Sequence, residues 1–155
     1  MKKVFILIVG FITMLSFNSF SQITVEDGQI APDFTSFRGT LLVVECRDFR
    51  DNTLNKMTKK KFEKFYEGEF EMITEEDLLS KPYLDTKKFR FMVQLRNSRS
   101  VDRAGGSPSN GTASDATKFV MTDRLNDKKY ETRTYSNWVN AMKQYPQALE
   151  KVRIK

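Results

Sequence analysis

The chain has 155 residues, a formal net charge of +6, one cysteine and no histidine. A single cysteine excludes an internal disulfide, and the lack of histidine removes the commonest general base and the commonest metal ligand. The basic excess is mild and not concentrated as it is in a nucleic-acid-binding domain, so we expect no nucleic-acid partner.

The beginning of the chain has the pattern of a secretory signal peptide, which we assign to residues 1–21. A basic start at Lys2-Lys3 precedes an uncharged apolar stretch, and small residues lead to Ser21. That stretch is shorter than the roughly 20 residues that span a bilayer, so we expect cleavage between Ser21 and Gln22 rather than an uncleaved anchor. The mature chain, 22–155, would keep 134 residues and a charge of +4, because Lys2 and Lys3 are removed. We therefore predict a secreted or periplasmic protein with one domain and no transmembrane segment.

The first strand of the domain is predicted from Thr40 to Cys46. Leu41–Val44 is a run of aliphatic residues without alternation, which is typical of a strand buried on both faces of a sheet. A helical pattern and a second strand-like run, 69–73, follow it. The sequence therefore predicts a parallel β-α-β start.

The residues that lead into this strand carry a family resemblance. Ala31-Pro32-Asp33-Phe34, then Gly39 and Leu41–Val44, resemble the entry to thioredoxin-like and peroxiredoxin-like domains. The resemblance implies a thioredoxin-like fold. Where those families carry redox cysteines, this chain has the segment 47–54, and both cysteines of a Cys-x-x-Cys pair are missing. The resemblance therefore implies the fold without the thiol chemistry of the family.

Charged residues follow the first strand, and they are the candidate binding residues: Arg47, Asp48, Arg50 and Asp51. Open α/β sheets bind ligands at the carboxyl ends of their strands, which is where these residues are expected. A hydrolase that uses Asp48 and Asp51 as acids is one alternative. A salt-bridged loop that caps the next helix explains the same residues more simply.

The next helix is predicted to begin at a cap on Asp51 or Asn52 and to end at Gly68. Its apolar positions should pack Phe62 and Phe65 onto the sheet. The run Lys59-Lys60-Lys61 is interpreted as a solvated surface, with an anion-binding patch as the alternative.

The segment Thr74-Glu75-Glu76-Asp77 has the form of a capping box that opens a short helix. The helix dipole accounts for its acids without a metal ion, and we predict no metal site and no cofactor. Residues 89–95 alternate apolar and polar side chains as a half-buried strand does. Residues 97–116 are rich in Gly, Ser and Asn, and they are predicted to form a mobile loop.

The remaining sequence predicts a hairpin and a final helix. Strands over 118–125 and 128–134 flank a turn at Asn126-Asp127. Ser136 is the expected cap of the last helix, Trp138 its core anchor, and Pro146 a point that kinks or divides it. The predicted class is α/β, with a mixed central sheet, a parallel β-α-β start, C-terminal antiparallel strands and a C-terminal helix.

No pattern in the sequence commits the chain to a catalytic chemistry, and we assign no catalytic residue. The leading hypothesis is a small exported, non-catalytic α/β protein with a binding or envelope-structural role. Its partner would be a protein or an anionic component of the envelope. The alternative is a thioredoxin-like thiol redox protein that uses Cys46, although a thiol inside a buried strand is poorly ionised and shielded.

Overall fold

The structure is a computed structural model that describes residues 23–47, 51–101, 113–135 and 137–154. At 51–52, 97–101 and 113–116 only the backbone is described. The predicted signal peptide lies outside the described residues.

Five strands form one mixed sheet in the order β2-β1-β3-β4-β5. β1 pairs in parallel with both β2 and β3, whereas β3–β4 and β4–β5 are antiparallel. This confirms the predicted mixed sheet with its parallel start and antiparallel end. The strands are β1 (Leu41–Val44), β2 (Phe70–Ile73), β3 (Phe91–Val101), β4 (Ala113–Asp123) and β5 (Lys128–Glu131).

Two helices cover one face of the sheet. α1 (Asp51–Phe65) connects β1 to β2, and α2 (Trp138–Arg153) follows β5. Buried side chains of both helices form one apolar cluster with inward-facing residues of β1, β3 and β4. Among the described residues, no helix is long and apolar enough to cross a membrane.

A smaller apolar cluster lies on the opposite face of the sheet. Its buried members are Leu42, Val44, Ile73 and Phe89. Two short 3-10 helices, Asp77–Leu79 and Lys81–Leu84, supply the half-buried Leu78 and Tyr83 that pack against it. The hydrogen bonds of the predicted capping box form just before the first of them, where Thr74 N–H and Oγ1 both donate to Asp77 Oδ2, at 2.9 and 2.8 Å. The 3-10 helix itself begins at Asp77, after Glu76, and has no side-chain cap.

The segment before β1 is held in the main core. Ile30 and Phe34 have no exposed surface, and the Ala31 N–H donates to Met121 Sδ on β4 at 3.4 Å. The Phe34 ring meets Phe91 edge to face, with centroids 5.4 Å apart. This segment therefore contributes to the core rather than only leading to it.

The strands around the predicted loop are longer than expected. β3 continues to Val101 and β4 begins at Ala113, so only the centre of the predicted loop 97–116 lies outside the described residues. Asn97 pairs with Thr117 and Val101 with Ala113. The ladder is held by backbone hydrogen bonds, which do not depend on the type of side chain. The bounds of the loop were predicted from side-chain composition, and they were therefore too wide.

β1 is shorter than predicted. It ends at Val44 rather than at Cys46, because its last ladder partner on β2 is Ile73. Glu45 N–H still donates to the Ile73 carbonyl at 2.8 Å, and the chain then leaves the sheet. Cys46 therefore lies beyond the strand rather than inside it.

The buried stripe of α1 follows the i, i+4 row of Leu54, Thr58 and Phe62, and buried Tyr66 continues the row just after the helix. Phe62 has no exposed surface, as predicted. Phe65 lies about 60° further round the helix from Phe62, since each residue turns the helix by about 100°. It is half-buried and belongs to neither apolar cluster, so the prediction that it packs onto the sheet is wrong.

The N-terminal cap of α2 is Asn137, whose Oδ1 accepts from the Asn140 N–H at 3.2 Å. The predicted cap, Ser136, lies outside the described residues. Trp138 is half-buried against the main core. The helix continues through Pro146 as one element instead of dividing, because the buried proline packs with its neighbours while only one backbone donor is lost.

A charged triad lies at the amino edge of the sheet, the edge where the parallel strands begin. The Arg90 guanidinium donates twice to the buried carboxylate of Asp123, at 3.0 and 2.7 Å, and also pairs with exposed Asp33. Burial alone would raise the pKa of Asp123. Hydrogen bonds from Arg90, Asn126 and the Leu125 N–H outweigh that effect and hold the pKa below its ordinary value.

We expect Asp123→Asn to lower the free energy of unfolding at pH 7 by about 3 kcal/mol, because it removes the buried charged partner of a largely buried guanidinium and leaves only exposed Asp33. The pKa of Asp123 is lower in the folded chain than in the unfolded chain. Its stabilisation is therefore fully present above about pH 4 and is lost as the pH falls through the folded-state pKa. Urea unfolding should show the gap between wild type and variant shrinking in that acid range.

Asp33→Asn is the control, because its carboxylate is 58% exposed. It should lower the free energy of unfolding by less than about 1 kcal/mol. Equal losses in the two variants would contradict the greater importance of the buried pair.

Candidate functional site

The structure describes only part of the candidate binding set. Arg47 directly follows β1, and Asp51 is the first residue of α1, with only its backbone described. Asp48 and Arg50 lie outside the described residues. The site can therefore be built from Arg47 and from what the fold brings beside it.

Arg47 lies at the carboxyl edge of the sheet, where the parallel strands β1 and β2 end. Glu75 and Glu76 follow β2 at the same edge. The Arg47 guanidinium pairs with the Glu76 carboxylate, and its Nε lies 3.8 Å from Glu75 Oε2. The Arg47 side chain is 57% exposed and that of Glu76 70%, so solvent screens the pair.

The network continues onto β3, which lies on the other side of β1 from β2. Gln94 Nε2 donates to Glu75 Oε1 at 2.7 Å, and Gln94 Oε1 accepts from Arg96 Nε at 2.9 Å. Gln94 is half-buried and Arg96 is exposed. We call this connected set the carboxyl-edge cluster: Arg47, Glu75, Glu76, Gln94 and Arg96.

Sequence reasoning identified only Arg47 of this cluster as a site residue. It explained Glu75 and Glu76 by the helix dipole, and it treated Gln94 and Arg96 as the solvent face of a strand. The position of these residues relative to the strands could have indicated the cluster. Residues that follow neighbouring parallel strands meet at one edge of the sheet, and polar residues of β3 at the same height lie beside them.

The cluster offers two guanidinium groups, two carboxylates and one amide to a polar ligand. It has no thiol or hydroxyl to act as a nucleophile. The carboxylates are solvent-exposed and face cations, whereas a catalytic general acid is usually buried away from positive charge. Among the described residues, no group of three or more acidic, cysteine or histidine side chains is placed to hold a metal ion. The arrangement can bind a polar ligand through hydrogen bonds and complementary charge.

Cys46 adjoins the cluster but is buried, with 8% of its surface exposed. The side chain of Asn55 on α1 holds the backbone at Cys46 in place. Asn55 Oδ1 accepts from the Cys46 N–H at 2.9 Å, and Asn55 Nδ2 donates to the Cys46 carbonyl at 3.2 Å. This pair of hydrogen bonds fixes α1 against the end of β1, and the sequence reasoning did not anticipate it.

Comparison with known proteins does not identify a family. No protein-family model matches the chain, and no curated protein matches it. The solved structure of a PelC dodecamer from Paraburkholderia phytofirmans matches with 11% sequence identity and a TM-score of 0.36. The match covers 75% of this chain and 89% of the PelC chain. A likeness of this size supports no statement about fold family or function.

The contact of Asn55 with Cys46 gives a direct test of how α1 is anchored. Asn55→Asp keeps the oxygen that accepts from the Cys46 N–H. It replaces the donating NH2 with a second oxygen, so the hydrogen bond to the Cys46 carbonyl is lost. We expect the free energy of unfolding to fall by about 2 kcal/mol, since a part-buried carbonyl loses its donor. Urea unfolding monitored by circular dichroism measures the loss.

Thr53→Ala is the control, because Thr53 is an exposed residue of the same helix. Its effect should stay within about 0.5 kcal/mol. An Asn55→Asp variant as stable as the Thr53→Ala variant would show that the anchor does not stabilise the fold.

Proposed function

We propose that the chain is a small exported α/β protein that binds a partner at the cell envelope and catalyses no reaction. The carboxyl-edge cluster carries this proposal. At the edge where an open α/β sheet places its ligand, the described side chains are paired charges and an amide at the protein surface. Such groups recognise a polar surface through complementary charge, which sets specificity and association rate.

Export is part of the proposal and follows from the sequence of residues 1–21. A basic start, an apolar stretch and a small-residue exit form the pattern of a signal peptide. Protein recovered from the envelope should have the intact mass of residues 22–155. A mass that retains residues 1–21 would contradict the cleavage.

The binding test uses two charge reversals at opposite edges of the sheet. Arg47→Glu places a third acid beside Glu75 and Glu76, so cross-linking of the protein to its envelope partner should fall at least fivefold. Arg38→Glu makes the same change in net charge at an exposed residue just before β1 and should leave the cross-linked yield unchanged. Equal yields from the two variants would remove the carboxyl-edge cluster as the binding site.

The second candidate function is that of a thioredoxin-like thiol redox protein using Cys46. The resemblance of Ala31-Pro32-Asp33-Phe34 and the following strand to thioredoxin-like domains favours this alternative. The burial of Cys46 weighs against it, because a buried thiol forms little thiolate and is hard for a substrate to reach.

Thiol reactivity distinguishes the two functions. We expect Cys46 to react with a thiol reagent at least a hundredfold more slowly in the native protein than after denaturation, because opening the fold must precede reaction. Cys46→Ser should lower the free energy of unfolding by about 1 kcal/mol, since it buries a hydroxyl in place of a thiol. Fast native labelling, or a disulfide-linked dimer in a non-reducing gel, would favour the redox function instead.

A further inference from the structure

Three lysine side chains converge on one aromatic ring on the helical layer. The ammonium of Lys64 lies 5.4 Å from the centre of the Phe65 ring, and those of Lys61 and Lys143 each lie 5.9 Å from it. Lys61 and Lys64 belong to α1, and Lys143 belongs to α2. We call these four residues the Phe65 patch.

The Phe65 patch concentrates three positive charges at one place on the helical layer. None of its lysines forms an ion pair with a described acid. Since each ammonium lies within 6 Å of one ring centre, no two are more than about 12 Å apart. Each ammonium is closer to the ring centre than the Debye length of about 8 Å at physiological ionic strength, so the three positive potentials add at the ring.

The Phe65 ring lies outside both apolar clusters of the domain. It is half-buried, and both apolar clusters form without it. The helices beneath it are fixed together, because the Glu67 N–H after α1 donates to Glu150 Oε2 of α2 at 3.0 Å. The patch is therefore a firmly supported surface with an aromatic ring at its centre and cations around it.

We propose that the Phe65 patch binds the surface of an anionic phospholipid bilayer. A partly exposed aromatic ring enters the interfacial region of a bilayer, while lysines extend along it and keep their ammonium groups among the headgroup phosphates. Each lysine near an anionic surface strengthens the attraction. The inference goes beyond the proposed function, because it assigns a second binding surface, and its test does not depend on export.

The chemistry of the Phe65 patch favours a bilayer over an acidic protein. Recognition of individual carboxylates usually employs arginine, whose planar fork gives two directed hydrogen bonds. The cations here are all lysine, which act as point charges without a required direction. Lipid headgroups surround an inserted apolar ring with phosphates that can move, and lysines can pair with such phosphates from any direction.

The experiment measures co-sedimentation with vesicles, using protein recovered from producing cells with its N-terminus defined by intact mass. Wild-type protein should bind vesicles containing 30% phosphatidylglycerol at least tenfold more tightly than pure phosphatidylcholine vesicles. Any apolar contribution from the N-terminus is common to all variants, so the difference between the two vesicle types reports the charged surface.

Two triple variants test the site with the same change in charge. Lys61→Gln/Lys64→Gln/Lys143→Gln should weaken binding to the anionic vesicles at least tenfold. The matched control, Lys56→Gln/Lys59→Gln/Lys129→Gln, removes three exposed lysines that lie outside the Phe65 patch and should weaken it less than threefold. Phe65→Ser should weaken binding about fivefold without altering the charge.

Several outcomes would overturn the inference. Equal losses in the two triple variants would mean that net charge alone matters, and equal binding to both vesicle types would remove the electrostatic role. Competition by soluble polyglutamate as strong as that by anionic vesicles would assign the patch to an acidic protein instead. Circular dichroism of each variant shows whether a loss comes from unfolding. Failure here with intact Arg47-dependent cross-linking would leave the proposed function standing.

Discussion

The burial of β1 on both faces is the constraint that arranges the rest of the domain. All four of its side chains are at most 3% exposed, and it hydrogen-bonds to a parallel strand on each side. Burying both faces of one strand requires a layer above it and a layer below it. The two helices with the lead-in segment supply one layer, and the 3-10 helices after β2 supply the other.

Within the part of the chain that the structure describes, the second layer packs mainly against one half of the sheet. The small cluster under the 3-10 helices draws on β1, β2 and the start of β3. Over β4 and β5 the same face carries the ion pair of Lys118 with Glu131, at 2.5 Å. Gln94 and Arg96 of the carboxyl-edge cluster lie on this face, between the small cluster and that ion pair.

Three groups of charges among the described residues lie in different environments, and each environment suggests a different role. The Arg90–Asp123 pair is largely buried and hydrogen-bonded, which makes it structural. The carboxyl-edge cluster is paired but exposed, so it can exchange partners at low cost. The lysines around Phe65 are close together and lack described acidic partners, which leaves a concentrated positive field at the surface.

Sequence patterns predicted the elements whose formation depends on apolar side chains. The uninterrupted run Leu41–Val44 indicated a central strand, and alternation over 89–95 indicated β3. A local hydrogen-bonding pattern was also predicted correctly, since Thr74 and Asp77 form the hydrogen bonds expected of a capping box. The fold class followed from these pieces.

The sequence was less informative where backbone pairing or tertiary contact decides the outcome. The polar residues after Arg96 pair as strands because β4 lies beside them, not because of their side chains. Phe65 was placed in the core because an aromatic residue near the apolar side of a helix usually is, but the buried row follows Thr58 instead. The carboxyl-edge cluster joins residues that are up to 49 positions apart, and the order of the strands must be known before they can be brought together.

The length of the β3–β4 hairpin has a consequence for how the domain opens. Both strands have eleven residues, whereas β1 pairs with β3 only as far as Gln94, and β5 with β4 only as far as Val120. Beyond Thr117, which bridges to Tyr135, the pairs from Ser98–Ala116 to Val101–Ala113 have no flanking strand among the described residues. Amide hydrogens there can exchange with solvent through local fraying, whereas those of β1 exchange only when the sheet unfolds globally. We therefore expect that shortening or lengthening this end of the β3–β4 hairpin has little effect on the stability of the core.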